Sequence, residues 1–473
     1  MPLYVDIAEN LTKQMARGAL RAGDRVPSLR RLSLQQGVSI STALQAYLWL
    51  ETRGYLEARP QSGFYVRTPY AKLIPEPEHA PAQCSPASHN PASVLGDILD
   101  SFNDPDAVQF GAGSASPELF PIRRMNLIVR QIVNRNPNHS AQYTFPPGLE
   151  LLRHQIARRS IEAGPGLGPG DISITTGAQE AINLALRAVA RPGDTVVVEG
   201  PTYFGVIGNA ASTGVKLVEV LTHPQLGMDL NELERVARKH RIKACVVMPN
   251  CHNPLGYVLS DEYKRSLAEL AGRYNFTVIE DDVYGDLVFR GPRPRTVKSF
   301  DRKGVVILCA SFSKVLPPGY RVGWVAGGRY RADIERLKLV TSVASPSLSQ
   351  MVVAEFLHSG GYDRHLKRLR TCLQAQMEEV RRAIARYFPE GTRISRPAGG
   401  YMLWVELPRQ VDAAKVARAA MAQHISILPG NAFSVAGRFG NYIRLNCGHQ
   451  WSEAHDQALL TLGKLCDRAA RSK

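Results

Sequence analysis

Cysteine is scarce and unpatterned in this sequence. Seven cysteines are scattered over 473 residues, an odd number with no C-x-x-C among them. Neither a disulfide framework nor a thiolate zinc site is expected, and reduced thiols fit a cytosolic compartment. No apolar run approaches the roughly 20 residues of a membrane span. The opening MPLYVDIAENLTKQMARG has acidic residues early and no apolar h-region, so no signal peptide is expected and the predicted location is cytoplasmic. Internal repeats are missing, as are G-x-S-x-G and G-x-x-x-x-G-K-[ST]. GPGLGPG at 164–170 is a proline-broken loop, not a strand-to-helix phosphate turn.

Acidic residues are in deficit, 42 against 58 Lys and Arg, giving a formal charge of +16 and a pI near 9.6. That balance suits a polyanionic partner but does not localise it. RHLKRLR at 364–370, for instance, reads as the solvated face of an amphipathic helix. Hydrophobic residues at 44% and charged residues at 21% describe a globular protein, and the length requires at least two domains.

Residues 69–93, PYAKLIPEPEHAPAQCSPASHNPAS, are rich in Pro, Ala and Ser and lack periodicity. They read as a linker between an N-terminal domain, 1–68, and a large domain, 94–473. In the first, Leu3, Ile7, Leu11 and Met15 mark an amphipathic helix that Gly18 can end. Ser28 caps a short helix carrying Leu29 and Leu32, and Gly37 turns the chain. Ser39 caps a third helix with Leu44, Tyr47, Leu48 and Leu50 expected inward, and Gly54 closes it. YLEA and FYVR then alternate as two strands around the turn RPQSG. The pattern is a winged helix-turn-helix, mainly α with a β wing, whose third helix would enter a DNA major groove.

From residue 94 onward, TVVVEG, ACVVMP, TVIEDD and GVVILCAS alternate with helical stretches, predicting an α/β fold with a mostly parallel sheet. Polar residues follow these runs. TTGAQ offers backbone N–H groups of Gly177, Ala178 and Gln179 to an anion, although such turns are common. Tyr203 can stack on a flat ligand or fill a core. Asp281 can be an acid partner, a cap or a metal ligand. Since no His/Asp/Glu cluster accompanies it, no metal is expected. Asn253, Tyr284 and Lys314 also fall at strand ends, where open parallel sheets collect ligands, and IRLN near the C-terminus adds Arg444.

Two resemblances organise these residues. AGDRVPSLRRLSLQQGVSISTALQAYLWLETRGYLEARPQSGFYV resembles the DNA-binding domain of the GntR family. The resemblance implies that Ser28, Arg30, Thr42 and Gly63 face DNA, beside the polar helix start of Ser39, Ser41, Thr42 and Gln45. Ile40 stands where that family often has a basic residue. The span from QFGAGSASPELFP to IRLNCG resembles fold-type I pyridoxal-phosphate aminotransferases, although NPLG replaces the frequent NPTG. This resemblance implies pyridoxal 5'-phosphate as cofactor and Lys314 as its Schiff-base lysine. Asp281 would face the pyridine nitrogen, Asn253 and Tyr284 the 3′-oxygen, and Tyr203 the ring. Ser311, Ser313, Arg321 and the Gly177–Ala178–Gln179 turn would bind phosphate, joined by Tyr143 from the neighbouring subunit of a homodimer. Arg444 would grip an effector or substrate carboxylate.

The joined halves resemble MocR-type transcriptional regulators. The expected function is operator DNA binding governed by an amine, amino acid or the cofactor itself, sensed through aldimine formation at Lys314. The alternative is a working aminotransferase, passing an amino group from donor to keto acid, with an accessory DNA-binding domain.

Overall fold

The computed structural model describes residues 3–16, 19–20, 23–52, 55–59, 62–66, 74–77, 96, 102–135 and 137–471. Gly18, Gly54, Pro60, Gln61 and most of the expected linker lie outside the described residues. The chain divides into two compact units, Met1–Leu73 and Ile74–Lys473.

The first unit consists of helices α1 (Leu3–Ala16), α2 (Leu29–Gln36) and α3 (Ile40–Thr52), followed by strands β1 (Leu56–Arg59) and β2 (Gly63–Val66) paired antiparallel. Ser28 caps α2 by accepting the Arg31 N–H at 3.3 Å, and Gly37 ends that helix at φ 64°. Ser39 begins α3 in the same way, accepting the Thr42 N–H at 3.1 Å. The core is built on Ile7, Leu11, Leu32, Tyr47, Leu50 and Leu56. The wing is fastened to α3 by the Phe64 ring, 5.1 Å from that of Tyr47.

Two expectations fail here: Leu44 and Leu48 are exposed, not inward. The residues that α3 buries are Ala43, Ala46, Tyr47 and Leu50, spaced i, i+3, i+4 and i+7. A three-helix core of this size covers one stripe, and Leu44 and Leu48 lie about 110° and about 150° around the helix from its centre.

In the second unit the strands are, in chain order, β3 (Val108–Gln109), β4 (Ile172–Thr175), β5 (Thr195–Gly200), β6 (Lys216–His223), β7 (Gly227–Met228), β8 (Ile242–Val247) and β9 (Thr277–Asp281). Then come β10 (Val306–Ser311), β11 (Gly323–Ala326), β12 (Arg393–Ile394), β13 (Met402–Glu406), β14 (Ile425–Ser426), β15 (Leu428–Pro429) and β16 (Tyr442–Asn446). The main sheet runs β4-β11-β10-β9-β8-β5-β6-β7. Its centre, from β10 to β6, is parallel, and β11 is antiparallel to both neighbours. The central strands are buried on both faces, which is why Val, Ile and Leu run through them without alternation. A smaller sheet, β12-β13-β16-β15, is antiparallel.

Residues 74–77 pack on this second unit. The Ile394 N–H donates to the Pro75 carbonyl at 2.9 Å, and Glu76 pairs with Arg396 at 3.3 Å. RHLKRLR falls in the helix Gly361–Tyr387, where His365, Leu366 and Leu369 face inward and Arg364 and Lys367 face outward. Among the described residues, no helix is long and apolar enough to cross a membrane.

Candidate functional site

The carboxyl ends of β4, β5, β8, β9 and β10 bring most of the sequence-selected residues to one place. Lys314 follows β10 in a loop held by Ser311, whose hydroxyl donates to Val322 O at 3.0 Å and accepts the Ser313 N–H at 3.1 Å. The Lys314 amine donates to the Gly113 carbonyl at 2.6 Å and lies 5.5 Å from the Tyr284 ring centre. Burial pushes its pKa down to about 8, assisted by the Arg444 and Arg321 cations and opposed by Asp281. Asp281, at the end of β9, is buried, and burial lifts its carboxyl to about 7 against the Val283 N–H that it accepts at 3.3 Å.

Gly177 stands at φ 90° and ψ 171°, a conformation for glycine, and opens the helix Ala178–Val189. A Cβ there would lie 2.5 Å from Arg321 Nη2. Arg321 itself is held at φ 52°, and its Nη2 donates to Thr176 O at 2.9 Å. One guanidinium is thereby drawn against the start of a helix, with Ser313 3.5 Å from its Nη1. The Gln179 side chain is turned away to Gly205 O at 2.9 Å, leaving its main chain as the group aimed along the helix start.

Tyr203 precedes the helix Phe204–Thr213, and its phenol is raised by burial and coupled to Arg444, Asp281 and Arg321. Tyr284 is buried edge-on to Tyr401, with ring centres 5.4 Å apart. Asn253 follows β8, and its buried Oδ1 has no hydrogen-bond partner among the described residues. Arg444, on β16, is fully buried, and its Nη2 donates to Gly111 O. Its Nε and Nη1 have no hydrogen-bond partner among the described residues. A buried guanidinium with two idle donors is costly unless a ligand answers them.

Tyr143 is 73% exposed and pairs with Phe145 at 5.6 Å, so the single chain presents it to the outside. In the N-terminal unit Ser28, Arg30, Ser39, Ser41, Gln45 and Gly63 are exposed and Thr42 is half-buried. The Ser39 hydroxyl sits 2.7 Å from that of Ser41 and 2.8 Å from that of Thr42, so it serves the helix start first.

Several participants escaped sequence reasoning. Tyr401 donates to Gly113 O at 3.1 Å, the same carbonyl that receives Lys314. Asn446 draws residues 112–114 to β16 by donating to Ala112 O and Ser114 O, each at 2.6 Å. Glu199 accepts from Tyr257 OH at 2.5 Å and from the N–H of Met248, the residue whose sulfur receives the Asn253 N–H, at 2.8 Å. The glycine pair before Tyr401 was the available signal for the first. Glu199 looked like part of an ordinary strand end.

Residues 126–459 match the family Aminotransferase class I and II, and residues 3–66 match Bacterial regulatory proteins, gntR family. The chain is 39% identical to the uncharacterized HTH-type transcriptional regulator YdcR of Escherichia coli, over 98% of this chain and 99% of that protein. It is 37% identical to the uncharacterized HTH-type transcriptional regulator YjiR of the same organism, over 99% of this chain and 100% of that one. Among solved structures, the α-aminoadipate aminotransferase LysN of Thermus thermophilus, complexed with N-(5'-phosphopyridoxyl)-L-leucine, superposes with a TM-score of 0.74. That match has 28% identity and covers 79% of this chain and 95% of that one.

Proposed function

The chain belongs to the aminotransferase class I and II family, carries a gntR-family head and is a MocR-type, pyridoxal-phosphate-dependent transcriptional regulator; on that premise we propose that its large unit senses an amine or amino acid at Lys314. The carrying observation is the buried Arg444, with two donors idle, electrostatically coupled to a lysine whose pKa is lowered to about 8.

The residues fit the cofactor. Gly177 leaves no room for a side chain beside Arg321, as a phosphate cradle requires, and Asn253 Oδ1 is an idle polar atom. Pyridoxal phosphate supplies an aldehyde reactive toward primary amines and a ring that withdraws electrons. Lys314 would provide the resident amine, part of it neutral near physiological pH. Asp281 would hold a proton on the ring nitrogen, its charge stabilised once a cation faces it. Asn253 and Tyr284 would bond the ring oxygen, and Tyr203 would cover the ring face. Arg321, Ser311, Ser313 and the main chain of Gly177, Ala178 and Gln179 would hold the phosphate, joined by Tyr143 of a second copy in a homodimer. With an incoming amine bound in its place, the Lys314 amine would donate to Gly113 O, and Arg444 would bind the ligand's carboxylate through its Nε and Nη1.

In the N-terminal unit, residues 1–68, Arg30, Ser41, Thr42 and Gln45 present donors toward DNA, with Gly63 at the wing tip and Ser28 and Ser39 holding the two helix starts. Residues 69–93 join this unit to the domain 94–473, with 74–77 already fastened to the large unit, and DNA binding fits a cytoplasmic protein. Titrating the purified holoprotein with primary amines, with and without a carboxylate, tests the sensing step. The expected result is a saturable change in the cofactor's absorbance that carboxylate-bearing amines produce at lower concentration. Rapid turnover of an amino donor with a keto acid, without any change in DNA affinity, would instead favour the aminotransferase reading.

A further inference from the structure

A cavity of ≈ 640 Å³ lies between the β6–β7 edge of the main sheet and the smaller sheet, lined by none of the residues assigned to the cofactor. The volume is within the range of small-molecule sites, about 300–1,000 Å³. Its walls include Leu221, Met228 and Leu255 from one side and Trp404, Phe439 and Tyr442 from the other. The three aromatic rings are already organised. Trp404 stacks on Tyr442 with centres 5.3 Å apart and planes at 23°. Phe439 stands edge-on to both, at 5.9 and 5.5 Å. Such an arrangement offers faces and edges to another aromatic ring.

Charge on the rim narrows the ligand. Asp229, Glu232 and Arg235 line it, and the Arg235 guanidinium is paired with Glu232. Two carboxylates against one already engaged cation oppose an anion and tolerate a neutral or cationic guest. This preference is opposite to that of the Arg444 site. The two places are linked through one ring, because the buried Phe433 lies 5.6 Å from Arg444 Cζ and 5.4 Å from the ring of Trp404, which lines the cavity. Another wall is Pro77, whose neighbour Glu76 is bonded on both sides, to Arg396 at 3.3 Å and to Gln225. Residues 74–77 are the first of the large unit, so a guest here touches the start of the unit at Pro77 and the Trp404 ring that packs on Phe433.

We propose that this cavity is a second ligand site, taking an uncharged or cationic aromatic small molecule. N-phenyl-1-naphthylamine, an uncharged aromatic that brightens in apolar surroundings, is the probe, and its sulfonated analogue 8-anilinonaphthalene-1-sulfonate is the contrast. Titrated into the full-length holoprotein, the first should bind saturably at one per chain, and the second at least about tenfold more weakly because of its charge. Leu226→Trp fills the cavity from a residue 66% exposed, and Leu221→Trp fills it from a half-buried strand end. Both should keep the cofactor's absorbance and lose about tenfold or more in probe affinity. Absence of saturable binding, equal affinity for the two probes, or wild-type probe affinity in both folded variants would each overturn the proposal.

Discussion

On the proposed reading Arg444 would set what the large unit recognises, since its guanidinium is fully buried and two of its nitrogens have no partner among the described residues. Arg444→Ala should raise the concentration of a carboxylate-bearing amine needed to shift the cofactor's absorbance by about tenfold to a hundredfold, a charge-assisted forked contact being lost. Arg444→Lys should rescue only part of that loss, because an ammonium cannot fork. An unaltered titration in both variants would remove the residue from the site. Lys314 gives a pH prediction. Its nucleophilic form is the neutral amine, which prevails above its pKa, and burial with Arg444 and Arg321 nearby brings that pKa down to about 8. Cofactor uptake by the apoprotein should therefore accelerate with rising pH and level off with a midpoint near 8, followed by absorbance. A rate still climbing toward the ordinary lysine value would contradict the burial. Lys314 and Asp281 could be singled out in the sequence because each stands at or just past the end of an apolar strand run, whereas Arg444, in the middle of β16, was picked out only by the resemblance of IRLN. Tyr401 was not, since its partner Gly113 lies far away along the chain and only folding unites them.

Elements were read more surely than the faces they bury. Strands β5, β8, β9 and β10 stand where uninterrupted β-branched runs require, and the caps at Ser28 and Ser39 form as their residue types dictate. The inward face of α3 was misjudged at Leu44 and Leu48 because hydrophobicity does not reveal which stripe a small core can cover. Ser39→Ala, which removes the cap, should destabilise the N-terminal unit by roughly 1 kcal/mol, seen as a lower melting temperature of that unit's transition. Thr42→Ala and Arg30→Ala should weaken operator binding while leaving cofactor absorbance intact, and added salt should weaken binding by the wild type steeply. At the other helix start, Gly177→Ala places a Cβ against Arg321 Nη2 and demands a backbone conformation alanine resists. Cofactor affinity should fall about tenfold or more, measured by absorbance titration, with the fold retained. Wild-type affinity would show that the turn does not hold the phosphate.

At the level of the whole molecule, the two units were visible as a change of pattern on either side of a Pro/Ala/Ser-rich stretch. The homodimer was expected from the resemblance alone, through Tyr143, which is exposed on the single chain and would meet the site only in another copy. Exposed Tyr143, together with Leu127, Leu151 and Val340, leaves apolar surface on the single chain of the kind that association covers. Sedimentation should find a dimer, and Tyr143→Phe should loosen cofactor binding without dissociating it. A monomer that binds cofactor fully would oppose the shared site. The central claim is that events at Lys314 are read out on DNA. A ligand can shift the N-terminal units only through differential affinity for two arrangements of the assembly. The decisive measurement is operator affinity of full-length wild type and Lys314→Ala, each loaded with cofactor, with and without a saturating carboxylate-bearing amine. The wild type should change affinity on adding the amine, and Lys314→Ala should bind the operator yet lose that response. An equal response in both proteins, or none in the wild type while its absorbance shows the amine bound, would contradict the account.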